Sequence, residues 1–107
     1  MDPSPARRVF PLSLDLVLTA ISDRTRWRML DELWKEDALT SAEIGRRIGI
    51  PMSNASKHML QLKRCGLVTR GYGNVYRIPT EFRIPGERAL DFGAVVVRLD
   101  ALDARRG

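Results

Sequence analysis

The chain has 107 residues, 44% of them apolar and 29% charged, and a formal net charge of +5. That composition fits one soluble globular domain and argues against disorder except at the ends. A single cysteine and a single histidine exclude an internal disulfide, a cysteine-based zinc cage and an HExxH centre, so no metal site or cofactor is expected. The longest apolar run, Ala94 to Val97, is far short of the roughly 18 residues a membrane span needs. No apolar stretch of signal-peptide length follows Arg7 and Arg8, so the expected location is the cytoplasm, with no membrane partner.

Residues 1–11 hold Pro3, Pro5 and Pro11 and read as a flexible N-terminal arm. A domain is expected over 12–107. Leu12, Leu14, Leu16, Val17, Leu18 and Ile21 predict a short, largely buried first helix. Ser22 or Asp23 can cap the next one, in which Trp27, Leu30, Leu33 and Trp34 form the inward face and Arg24, Arg28, Asp31, Glu32 and Lys35 the outward one. Thr40-Ser-Ala-Glu43 has the form of a capping box, opening a helix that turns Ile44 and Ile48 inward and Arg46 and Arg47 outward. Gly49 suits a left-handed helix end, and Pro51 suits the start of another helix. There Ala55, Met59 and Leu62 would pack down until Gly66 stops the helix. Two helices joined by a tight turn, over about 40–65, form a helix-turn-helix. The β-prone runs 67–70 and 75–78 flank Gly71-Tyr-Gly-Asn74 and predict a hairpin wing over about 67–78. Phe82 and Ile84 then pin the connector onto the core. The expected fold is mainly α with a small β-hairpin wing, a winged helix-turn-helix.

The last segment, about 87–105, reads as a helix apolar on two sides. A terminal helix of that kind needs a second partner surface, which predicts a homodimer through the terminal helices. The expected interface residues are Leu14, Val17 and Leu18 on the first helix and Leu90, Gly93, Ala94, Val97 and Ala101 on the last.

Charge is unevenly placed along this plan. Residues 44–80 carry Arg46, Arg47, Lys57, Lys63, Arg64, Arg70 and Arg77 and no acidic residue, a balance of +7 against −2 for the rest of the chain. Such a field suits a polyanion.

Ser22-Asp-Arg-Thr-Arg-Trp-Arg-Met-Leu30, Ile44-Gly-Arg-Arg-Ile-Gly49 and the run from Ser53 to Val68, with Ser56-Lys57-His58 its most specific part, resemble the ArsR/SmtB-like bacterial winged-helix repressors. The likeness extends over about residues 14–104. It implies a homodimer held by its first and last helices, binding double-stranded operator DNA and released by an inducer, often a metal ion. The Cys-x-Cys run of the metal-responding members is replaced here by Leu39-Thr-Ser-Ala-Glu-Ile44, and the last segment has no histidine. Its Glu87, Asp91, Asp100 and Asp103 are better matched as surface partners of Arg88, Arg98, Arg105 or Arg106. The implied effector is therefore an unidentified small molecule or protein.

In a helix-turn-helix, residues near the start of the second helix face base edges. Asn54 suits an adenine edge, Ser53 and Ser56 a base or a phosphate, and Gln61 lies further along the same helix. Lys57 and Arg64 suit phosphates, as do Arg46 and Arg47 from the preceding helix. His58 is a packing or phosphate residue rather than a ligand. Arg70, Tyr72 and Arg77 would meet the backbone or an adjacent minor groove. Cys65 ends the recognition helix: a thiolate beside Lys63 and Arg64 would have a lowered pKa, whereas a free cysteine is also among the residues most often buried and inert.

Enzyme function is not expected, since the chain has no His–acid–nucleophile set and no Gly-rich phosphate loop. The rival class is a winged-helix protein–protein interaction module that binds no operator.

Overall fold

The computed structural model describes residues 12–104; the expected arm over 1–11, and Arg105 and Arg106, lie outside the described residues. Four helices come first: α1 (Leu14–Ile21), α2 (Arg24–Lys35), α3 (Ser41–Ile48) and α4 (Met52–Arg64). Their ends follow from local chemistry. The side chain of Ser13 accepts from Leu16 N at the start of α1, and that of Asp23 from Thr25 N at the start of α2. The capping box of α3 is complete: Thr40 N donates to Glu43 Oε1 at 2.8 Å and Glu43 N to Thr40 Oγ1 at 3.2 Å. Gly49 closes α3 at φ 77°. Gly45, inside α3, lies against the turn so closely that a Cβ would sit 2.8 Å from Ile50 O, which makes it the contact that folds α4 back onto α3.

The core between the helices contains Val17, Met29, Leu30, Leu33, Ile44, Ala55, Met59 and Leu62, all fully buried. Trp27 and Trp34 pack against it, and Trp27 Nε1 donates to Ile21 O at 2.7 Å. Asp31, expected on the outward face of α2, is buried instead.

The wing is the antiparallel pair β1 (Thr69–Arg70) and β2 (Tyr76–Arg77), with Thr69 opposite Arg77 and Arg70 opposite Tyr76. It is joined by a 3-10 turn over Tyr72–Asn74, where Gly73 and Asn74 take positive φ. On its other side Tyr76 exchanges backbone hydrogen bonds with Leu39, at 2.7 and 3.1 Å. The linker before α3 thus holds the wing in place relative to the helix-turn-helix.

The C-terminal segment corrects the sequence reading. It is not a helix over 87–105 but a second hairpin, β3 (Ala89–Asp91) and β4 (Val96–Arg98), followed by a 3-10 turn over Leu99–Asp103. The reason lies in the residues. Val95, Val96 and Val97 are β-branched and favour extended backbone. Gly93 takes φ 96°, and its N–H donates to Asp91 Oδ1 at 2.9 Å, forming a tight turn that a helix interior does not allow. An apolar pattern on two sides is also what a strand pair makes by alternation: Val97 and Leu99 are buried, while Val96, Arg98 and Asp100 are exposed.

The hairpin closes the fold. Phe92 O accepts from Leu12 N at 3.0 Å, and the ring of Phe92 stands edge-on to that of Phe82, centroids 5.0 Å apart. Arg88 forks onto buried Asp31, Nε to Oδ1 at 2.8 Å and Nη2 to Oδ2 at 2.9 Å, and also pairs with Asp103. Arg98 pairs with Glu87 and Asp100. Two expected interface residues, Leu90 and Val97, are therefore core residues of the chain itself, as is Val17 on α1. Leu14 and Leu18 remain about half exposed, at 48% each.

Candidate nucleic-acid interface

Helix α4 divides cleanly around its axis. Ala55, Met59 and Leu62 are fully buried. Ser53, Lys57 and Arg64 are spaced at i, i+4 and i+11, which puts them on the opposite face, and all three are exposed. Asn54 lies beside them in the first turn, also exposed. Pro51 at the N-cap supplies no side-chain acceptor, so the first-turn amides of α4 face outward without a capping group.

The other expected residues differ in their freedom. Arg46, at the end of α3, is exposed and makes no ion pair among the described residues. Arg47 is held within the chain: Nη1 lies 3.3 Å from Glu32 Oε1 and Nη2 3.3 Å from Glu36 Oε2. Those carboxylates, Glu32 foremost, keep its guanidinium pKa above the ordinary value. Ser56 is half-buried where α4 meets the wing, and Gln61 is half-buried with Nε2 3.9 Å from Cys65 Sγ. His58 turns inward, with Nδ1 3.3 Å from Arg26 Nη1. A guanidinium only donates, so this contact makes Nδ1 the acceptor. Arg26 also donates to Ala20 O at 2.7 Å and Thr19 O at 3.0 Å, so it ties the end of α1 to the middle of α4. Sequence reasoning missed Arg26, whose role depends on a contact 32 residues away.

On the wing, the Arg70 guanidinium lies over the Tyr76 ring, 5.9 Å from its centroid, and Nη1 is 3.4 Å from the phenol oxygen. Arg77 is exposed, and Tyr72 projects from the turn entirely into solvent. A cleft of about 590 Å³ lies between the start of α3, the Met52–Ser56–Leu60 flank of α4 and the wing, lined also by Thr40, Ser41, Arg70 and Asn74. The surface thus offers a polar helix face, a flanking β-ribbon and cations on both.

Of the two readings of Cys65, the structure matches the buried one. Cys65 is 2% exposed, and burial pushes its thiol pKa up, only partly offset by Arg26. Among the described residues, no three His, Cys, Asp or Glu side chains gather as a metal site. No described helix is long and apolar enough to cross a membrane.

A family described as a helix-turn-helix domain matches residues 21–70, which span α2 to β1. No curated protein matches the chain. Among solved structures, the transcriptional repressor PagR of Bacillus anthracis is 24% identical, over 61% of this chain and 76% of its own, with a TM-score of 0.54. HlyU from Vibrio cholerae N16961 is 26% identical, over 73% of this chain and 80% of its own, with a TM-score of 0.51. The chain has the winged helix-turn-helix fold.

Proposed function

We infer that this chain is a sequence-specific DNA-binding transcriptional regulator of the ArsR/SmtB-like kind, acting in the cytoplasm as a homodimeric repressor. The observation that carries this reading is the outer face of α4. It presents Ser53, Asn54, Lys57 and Arg64 opposite a fully apolar inner face, beside a wing bearing Arg70 and Arg77. In the acid-free stretch 44–80 only Arg47 is drawn into carboxylate pairs among the described residues. The likeness to a structure described as a transcriptional repressor supports the same reading. Asn54 and Ser53 read base edges, and Lys57, Arg64, Arg70, Arg77 and Arg46 hold phosphates.

The dimer surface is α1 with the outer side of the C-terminal hairpin. Leu14 and Leu18 sit one turn apart and half exposed on α1, and Val96 on β4 is 51% exposed. Apolar side chains so placed on a short helix mark a contact surface. The Cys-x-Cys run of metal-responding members is Leu39-Thr-Ser-Ala-Glu-Ile44 here, which favours a small molecule or a protein as the signal.

Fluorescence anisotropy with the DNA upstream of its own gene tests the reading. Specific binding should be at least about a thousandfold tighter than to a scrambled duplex at the same salt. Equal affinity for both would remove sequence-specific regulation. Absence of both would favour a protein-interaction module.

A further inference from the structure

A second depression, of about 670 Å³, lies between the start of α1, the end of α4, β1 and the connector around Pro79, and shares Arg70 with the cleft by the wing. That volume is within the range of small-molecule sites. Leu12, Leu16 and Val68 give it an apolar lining. Leu16 is 45% exposed, a large apolar side chain left in water on the groove wall. The rim is cationic: Lys63, Arg64 and Arg70 line it, against the single acid Glu81. Neither Lys63 nor Arg64 has a carboxylate partner among the described residues.

We propose that this groove binds a small amphipathic carboxylate, its apolar body of about ten carbons along Leu12, Leu16 and Val68 and its head on Lys63, Arg64 and Arg70. Charge complementarity selects this occupant. An amphipathic cation meets three like charges, and a purely polar anion leaves the apolar lining wet. The site is separate from the proposed dimer surface, because Leu16 projects from α1 roughly opposite Leu14 and Leu18 at about 100° per residue. It is also the place from which a ligand reaches the reading surface. Its walls are the last turn of α4 and the first strand of the wing, and Arg64 and Arg70 are two of the cations assigned to phosphate. A carboxylate held there neutralises them and lowers DNA affinity, a consequence that rests on the proposed DNA reading.

Titration of the whole chain with decanoate below its micelle concentration, without DNA, tests the site itself. Calorimetry should show saturable binding of one decanoate per chain, with amide shifts at Gly66, Val68 and Thr69. Leu16→Glu, which puts a carboxylate on the wall, should weaken binding about tenfold, as should Lys63→Ala. Decylammonium should not bind. Absence of saturable binding, equal binding of both amphiphiles, or indifference to both substitutions would each overturn the site. In a second arm, saturating decanoate should weaken operator binding about tenfold and flatten its salt dependence. Decanoate binding with unchanged operator affinity would overturn the coupling, whereas decanoate binding by a chain that binds no DNA would sink the DNA reading alone.

Discussion

Arg88 shows how much of this molecule turns on one side chain. Its guanidinium reaches back 57 residues to make two hydrogen bonds to Asp31, whose side chain is only 8% exposed. A buried carboxylate without its partner is costly, so Arg88→Ala should lower unfolding free energy by about 3 kcal/mol in urea denaturation. Lys35 Nζ remains 3.5 Å from Asp31 and keeps the loss from being larger. Arg88→Lys should recover only part, because an ammonium cannot fork. A loss below about 0.5 kcal/mol for Arg88→Ala would mean that the pair behaves like a surface ion pair. In sequence, Asp31 sits among charged neighbours on α2 and looks solvated; nothing local signals a partner so distant. The reading residues are different, because their signal is local. Asn54→Ala should relax sequence preference while leaving non-specific affinity nearly intact, and Arg77→Ala should weaken all duplexes alike. Anisotropy on operator and scrambled DNA separates the two, and the reverse pattern would move base reading to the wing.

Among the elements, legibility followed the range of the forces that make them. The capping box at Thr40, the left-handed Gly49, Pro51 at the head of α4 and the Gly71–Asn74 turn each act within four residues, and each is in place. The C-terminal hairpin is hard to read in the sequence because its pattern fits a helix apolar on two sides, and only the Val95–Val97 run and Gly93 speak for strands. Its electrostatics make it responsive to acid. Arg98 holds the Asp100 carboxyl below its usual pKa, and Arg88 does the same for Asp103. A depressed folded-state pKa stabilises above the unfolded value, near about 3.9, and that contribution is lost as pH falls through the folded value. The Leu99 amide, which donates to Arg88 O at 2.9 Å, should keep its NMR shift down to about pH 4 and move only below it. Movement already between about pH 6 and 5 would mean that these pairs do not hold the hairpin.

At the scale of the whole molecule, Leu16 shares a groove with three cations, whereas Leu14 and Leu18 do not line it. Exposed cations stand on α3, α4 and the wing, while Leu14 and Leu18 stand on α1, which Arg26 links to α4. In a twofold dimer through α1, each reading helix is fixed relative to its mate by that link, and two half-sites engage together. With three to five phosphate contacts per subunit, log affinity should fall against log salt with a slope of roughly −5 to −9. Leu14→Glu combined with Leu18→Glu places four carboxylates at the twofold and should leave a folded monomer. Sedimentation should then show a single chain, and the salt slope should drop to roughly half, because only one subunit's contacts remain. A wild-type chain that sediments as a monomer, or a doubly substituted chain with an unchanged slope, would place the dimer surface elsewhere. A slope near zero in the wild type would remove phosphate contact from these cations. The two readouts separate because sedimentation depends on the leucines and the slope on the arginines and lysines, and only a dimer through α1 predicts that changing the first halves the second.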